Sequence, residues 1–171
     1  VGTRKASDYG KRICSELIND LKSQNIQVIS GLALGIDTCA HESALDCNLN
    51  TIAVLGHGFN RIYPHENKRL SEKIIENGTL LTDFSISMSM VPGNFPARNR
   101  IIAGLSDATI VIESGTKGGS LITADIALSY DREVFAVPDR VNMNSSSGCN
   151  LLIKSNKAAL IENADDVVNY M

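Results

Sequence analysis

Short apolar runs alternate with amphipathic stretches from one end of this chain to the other, and that alternation is what most restricts its fold. Gln27–Ser30, Thr51–Leu55, Thr79–Thr82, Ala108–Ile112 and Glu133–Val137 read as strands, with a shorter one near Ala159–Ile161. Between them lie segments with helical periodicity. A helix capped by Ser7 runs to about Gln24, with Tyr9, Ile13, Leu17 and Leu21 as its inward stripe. Others start near Asp37 (inner face Ala40, Ala44 and Cys47), Glu66 (Leu70 and Ile74 inward), Ala97, Ser120, Asn150 and Asp165. Strands separated by helix-length crossovers pair in parallel. The predicted fold is therefore α/β: a three-layer, Rossmann-like arrangement with a mostly parallel sheet flanked by helices. Residues 83–96 and 138–148 are predicted loops, and loops of that length often carry function. Val1-Gly2-Thr3 reads as the end of a strand entering a turn, so the chain is expected to be part of a longer protein. No linker or repeat divides its 171 residues, which suits one domain.

Composition narrows the partners. The apolar share of 43% is that of a globular protein, and no apolar run approaches a membrane span. The cytosol is the expected compartment, and no membrane partner is expected. Cys14, Cys39, Cys47 and Cys149 lack metal-ligand spacing and read as reduced structural thiols. A net charge of −3 excludes a uniformly basic surface, so an anionic polymer would need a local patch.

The fold says where to look for that patch. In open α/β sheets, ligands bind beyond the carboxyl ends of the strands. The loops on that edge are Gly2–Ala6, Gly31–Asp37, Gly56–His65, Asp83–Ala97 and Ser114–Ser120. They carry Arg4, Lys5, Arg61, Arg98, Arg100 and Lys117, with Lys68 and Arg69 one turn into a helix from the same edge. They are also rich in glycine, which leaves main-chain amides free to face a ligand. Positive charge, bare backbone and helix N-termini together make an anion site, and a row of such loops suits a chain of phosphates.

Individual residues keep two readings. Arg4 and Lys5 are phosphate ligands or solvated surface charges. Arg98 and Arg100 flank Asn99 at a helix start, where cations oppose the helix dipole, so a phosphate or a carboxylate such as Glu113 should compensate them. Phe95 is a base-stacking platform or a core residue. Asp37 and His41 sit four apart on a helix and read as a capping carboxylate with a packed histidine rather than an acid–base pair. Gly31 to Gly35 is not a dinucleotide fingerprint.

Seven ordered motifs resemble the DNA-processing protein A family, also called Smf. They are Val1-Gly2-Thr3-Arg4-Lys5-Ala6-Ser7; Ser30 to Asp37 with Ala40-His41; Tyr63-Pro64 with Asn67 and Leu70; Phe95 to Ser106; Ser120 to Ala124; Val134 to Pro138; and Gly148 to Ile153. The match departs at Asp83-Phe84, Gly118 and Asp139. The resemblance implies a Rossmann-like core that binds single-stranded DNA, helps load the RecA recombinase in natural transformation and forms a homodimer. Many members add an N-terminal helical and a C-terminal winged-helix-like domain. By motif position the implied DNA-binding set is Gly2, Thr3, Arg4, Lys5, Ser30, Gly31, Lys68 or Arg69, Phe95, Arg98, Asn99 and Arg100. No catalytic residue, metal or cofactor is expected.

Two competing functions stand beside this one. Phosphoribohydrolases of the lysine-decarboxylase-like group share a related fold and a PGGxGTxxE signature. The corresponding stretch, Glu113 to Ser120, has no Glu three residues after Gly115-Thr116, which argues against that nucleotide-processing activity. A module that only binds proteins is the other.

Overall fold

The computed structural model describes residues 1–141 and 147–171. Ser7 caps α1 (Asp8–Leu21), its hydroxyl accepting from the Gly10 amide at 3.0 Å. The face that α1 buries is Gly10, Cys14, Leu17, Ile18 and Leu21, whereas Tyr9 is exposed. The expected stripe took steps of four residues. At about 100° per residue, three such steps drift roughly 120° around the helix. The observed 4-3-4 spacing holds one face.

The remaining elements follow in the expected order. They are β1 (Val28–Ser30), α2 (Ile36–Asp46), β2 (Thr51–Val54), α3 (Lys68–Asn77) and β3 (Gly78–Leu81), then α4 (Asn94–Leu105), β4 (Ala108–Val111), α5 (Gly119–Ser129) and β5 (Glu133–Ala136), and last α6 (Ser147–Lys154), β6 (Ala159–Leu160) and α7 (Ala164–Tyr170). α4 starts three residues earlier than expected. Pro96 lies in its first turn, where the missing N–H has no helical acceptor to lose. Of the predicted loop 138–148, residues 142–146 lie outside the described residues.

All strand pairs are parallel, as expected for helical crossovers, but they divide into two three-stranded sheets, β1-β2-β3 and β4-β5-β6. The chain start joins them. Gly2 bridges Glu113 in parallel, and the Thr3 amide donates to the Glu113 carbonyl at 2.7 Å. The Thr3 carbonyl accepts from the Ile36 amide at the head of α2. The strand-end reading of Val1–Thr3 thus matches the local pairing.

Period-2 alternation gives the second sheet two buried faces. Ile112 and Phe135 pack with α1, α2 and α7, and Val111, Val134 and Ala136 pack with α4, α5 and α6. This is the helix–sheet–helix layering of a Rossmann-like fold. Leu70 and Ile74 of α3 cover Ala53 and Leu55 of the first sheet. No helix of the described residues is long and apolar enough to cross a membrane.

Candidate nucleic-acid interface

The carboxyl ends of the strands open into a cleft of about 510 Å³. Every edge loop anticipated from the sequence contributes to its wall. Gly2, Thr3 and Arg4 come from the first, Ala33 and Asp37 from the second, and Tyr63 from the third. Pro92, Phe95, Arg98 and Asn99 come from the segment entering and forming α4, and Gly118, Gly119, Ser120 and Thr123 from the head of α5.

Arg98 forms much of the floor. It is 5% exposed, and its guanidinium donates to the carbonyl oxygens of Gly31, at 2.7 Å, and Val54. Its Nε donates to Asn99 Oδ1 at 3.1 Å. Two carbonyls at the ends of β1 and β2 are thereby tied by one planar donor. Burial lowers the Arg98 pKa, with the nearby Asp37 carboxylate acting in the opposite direction. Gly31 is required here by proximity, because a Cβ on it would stand 2.5 Å from the guanidinium. Gly35 is required by conformation, at φ 82° against the Thr3 carbonyl.

Asp37 also has a different part from the expected one. Its carboxylate accepts from the amides of Gly31 and Ala33 at 3.1 and 3.3 Å, so it braces the β1–α2 loop instead of capping the helix. Those two amides, expected to be free for a ligand, are therefore occupied. Glu113 does not compensate Arg98 or Arg100 either. Its Oε2 accepts from the Ser7 amide and hydroxyl at 2.9 and 3.1 Å, at the positive end of α1. His41 is fully buried, and its Nδ1 lies 2.7 Å from the Thr51 hydroxyl, which itself donates to the Val28 carbonyl. That hydroxyl proton is committed, so Nδ1 carries the ring's hydrogen. Burial pushes the His41 pKa down to about 4. His41 is thus a packed histidine, as read, whereas Asp37 is a loop brace and not the expected cap.

At the mouth, Arg4 is exposed, with its guanidinium carbon 5.8 Å from the centroid of the half-buried Phe95 ring. The Phe95 ring lies 5.5 Å from that of Tyr63, which is 41% exposed. A cation and two aromatic faces therefore stand side by side on the rim. Such a group offers charge to a phosphate and flat surface to a base. Tyr63 is the member that sequence reasoning quoted in a motif without giving it a role. Asn67 was missed in the same way. It is 4% exposed, and its amide donates to the Leu32 carbonyl at 2.9 Å and to the Thr38 hydroxyl at 2.8 Å, latching the start of α3 to the β1–α2 loop. His57 accepts from the Tyr63 amide at 3.2 Å.

The remaining candidates are placed less centrally. Lys5 is exposed, and its amide donates to the Thr3 hydroxyl. Lys68 and Arg69 are exposed in the first turn of α3, next to the Asn67 latch but outside the cleft wall. Arg100 turns away and pairs with Asp83. Ser30 is buried, and its hydroxyl has no partner among the described residues. No group of three His, Cys, Asp or Glu among the described residues could hold a metal ion.

Comparison with known proteins follows from this geometry. The family profile for DNA recombination-mediator protein A matches residues 1–171. Protein Smf of a Synechocystis strain is 43% identical over 164 residues, covering 95% of this chain and 41% of that protein. The X-ray structure of DNA processing protein A from Streptococcus pneumoniae superposes with a TM-score of 0.91 at 38% identity, over 99% of this chain and 59% of that one. DNA processing protein A from Helicobacter pylori, solved for its single-stranded DNA binding mode, gives 0.89 at 32% identity, over 99% and 77%. The chain thus spans about two-fifths of the Synechocystis relative's length and three-fifths of the pneumococcal one.

Proposed function

The chain belongs to the DNA recombination-mediator protein A family, and from that premise we propose that it binds single-stranded DNA across the mouth of the cleft. Arg4 engages a phosphate, and Phe95 and Tyr63 take bases on their faces. Lys5 and Lys68 or Arg69 extend the cationic track, while Arg98 and Asn99 hold the floor in shape. The observation that carries this reading is the Arg4–Phe95–Tyr63 row on the rim of a cleft built by every strand-end loop.

The chain serves as one DNA-binding domain and performs no chemical step. Within the longer protein, a cytoplasmic homodimer hands the bound strand to the RecA recombinase during natural transformation and homologous recombination. The family and the Helicobacter relative's DNA binding support this part.

The test is fluorescence anisotropy with a labelled single-stranded oligonucleotide. Tyr63→Ala should weaken binding by about fivefold or more, the cost of one lost base stack, and Arg4→Ala should weaken it as well. Parent-level affinity in both variants would remove the proposal's support. Loading is tested by RecA filament assembly on protein-coated single strands, which the full-length protein should accelerate and its Arg4→Ala form should not.

A further inference from the structure

The seam between α1 and α2 gathers sulfur and oxygen atoms that the cleft does not use. The two helices pack on each other, and Cys14 of α1 and Cys39 of α2 meet in the same core cluster. The Cys39 Sγ stands 3.3 Å from the Lys11 carbonyl, 3.5 Å from the Ser15 hydroxyl and 3.9 Å from the Ser43 hydroxyl. The two hydroxyls are themselves 2.8 Å apart across the seam. Helical side chains lean toward the N-terminus, so those three and four residues on flank a given carbonyl. For Lys11 these are Cys14 and Ser15. A sulfur that touches the Lys11 carbonyl therefore lies beside Cys14, and the two thiols hydrogen-bond to each other. None of these residues lines the cleft.

The two sulfurs are unlike. Cys14 is 3% exposed, whereas Cys39 is half-buried and open to solvent on one side. As a neutral thiol Cys39 donates to the Lys11 carbonyl. As a thiolate it accepts instead, from the Cys14 thiol and from Ser15 and Ser43. The bond from Cys14 outweighs the cost of burial, and with the two hydroxyls it brings the Cys39 pKa down to about 6. That same bond, and burial, push the Cys14 thiol up. At neutral pH one sulfur is an accessible thiolate and its neighbour a protonated thiol, the pairing of an attacking with a resolving cysteine. The other two cysteines stand apart. Cys47 is two turns further along α2, about 12 Å by helical rise. Cys149 donates to the Val111 carbonyl in the cluster on the other face of the second sheet.

We propose that Cys14 and Cys39 form a peroxide-sensitive dithiol, which closes to a disulfide tying α1 to α2. The Cys39 thiolate attacks one oxygen of a hydroperoxide. The S–O bond forms, the O–O bond breaks, and the departing oxygen takes a proton from water. The Cys14 sulfur then attacks the sulfenic sulfur of Cys39. The S–S bond forms, the S–O bond breaks, and hydroxide leaves with the Cys14 proton as water. The two thiols lose two electrons, and the peroxide accepts both. A dithiol reductant returns the pair to its starting state. The dithiol is independent of the proposed strand binding.

Peptide mapping tests the pair. The reduced chain is exposed to hydrogen peroxide, its remaining thiols are blocked with N-ethylmaleimide in denaturant, and the digest is read without reductant. A Cys14–Cys39 linkage within one chain should form, reverse with dithiothreitol, and leave Cys47 and Cys149 carrying the blocking group. Alkylation of Cys39 by iodoacetamide should reach half its plateau rate near pH 6, where an ordinary thiol does so near pH 8.5. Cys14→Ala removes the resolving thiol, so dimedone should trap a sulfenic acid at Cys39 and higher oxides should accumulate. Cys39→Ser should leave Cys14 unmodified, and Cys47→Ser should behave as the parent. A parent map without the Cys14–Cys39 linkage, or with disulfides spread over all four cysteines, would overturn the proposal. So would a Cys39 alkylation profile with the midpoint of an ordinary thiol. None of these readouts uses DNA, so failure of the dithiol and failure of the strand reading are told apart.

Discussion

Replacing Arg98 with methionine should cost stability before it costs anything else. Methionine approximates the volume of the stem but removes the donors that serve the Gly31 and Val54 carbonyls. A hydrogen bond from a charged donor contributes about 1.5–3 kcal/mol, so two of them amount to roughly 3–6 kcal/mol. Part of that is returned, because the variant no longer buries a guanidinium. We expect a net loss of about 3 kcal/mol, a large share of the roughly 5–15 kcal/mol that holds a domain together. For a chain of this size the thermal midpoint should fall by about 6–12 °C. Urea unfolding followed by far-UV circular dichroism measures the loss directly. Arg4→Met is the control, because an exposed side chain should stay within about 0.5 kcal/mol of the parent. If Arg98→Met unfolds at the parent's midpoint, or if Arg4→Met falls equally, Arg98 does not tie β1 to β2 and the scaffold argument fails.

His41 gives a pH signature. The unfolded ring titrates near 6.5 and the folded one near 4. Below pH 6.5 the unfolded chain takes up a proton that the folded chain refuses. Stability is therefore full above that pH and falls by about 3 kcal/mol as pH drops to 4. Urea midpoints across that window should fall less in His41→Gln; parallel profiles would contradict the buried neutral ring. Gly31→Ala should destabilise by about 1–3 kcal/mol, because its methyl meets the Arg98 guanidinium. Combined with Arg98→Met the two losses should be less than additive, and full additivity would sink that contact. Asn67→Ala should cost about 1–3 kcal/mol through the unpaired Leu32 carbonyl, and hydrogen exchange should quicken in the β1–α2 loop. Arg100→Ala, by contrast, loses a half-exposed ion pair with Asp83 and should stay within about 1 kcal/mol in the same urea assay.

Much of the fold was legible because each strand and helix carries its own period. Leu70 and Ile74 faced inward as their spacing required, and the edge loops converged because parallel strands share one carboxyl end. What the sequence could not separate was a cation that touches a ligand from one that supports those that do. Arg4 and Arg98 look alike in a string of letters. Only burial against two carbonyls marks the second as scaffold. Asp37 misled for a related reason. A carboxylate near a helix start reads as a cap, yet the loop folded back and presented its own amides first.

The central claim is a cationic rim that tracks the backbone of a single strand, and the salt dependence of binding tests it most directly. With roughly three to five phosphates neutralised, the logarithm of the association constant should fall against the logarithm of salt concentration with a slope of about −2 to −3.5. Arg4→Ala should flatten it by about 0.7. A slope near zero, or one that Arg4→Ala leaves untouched, would contradict the account.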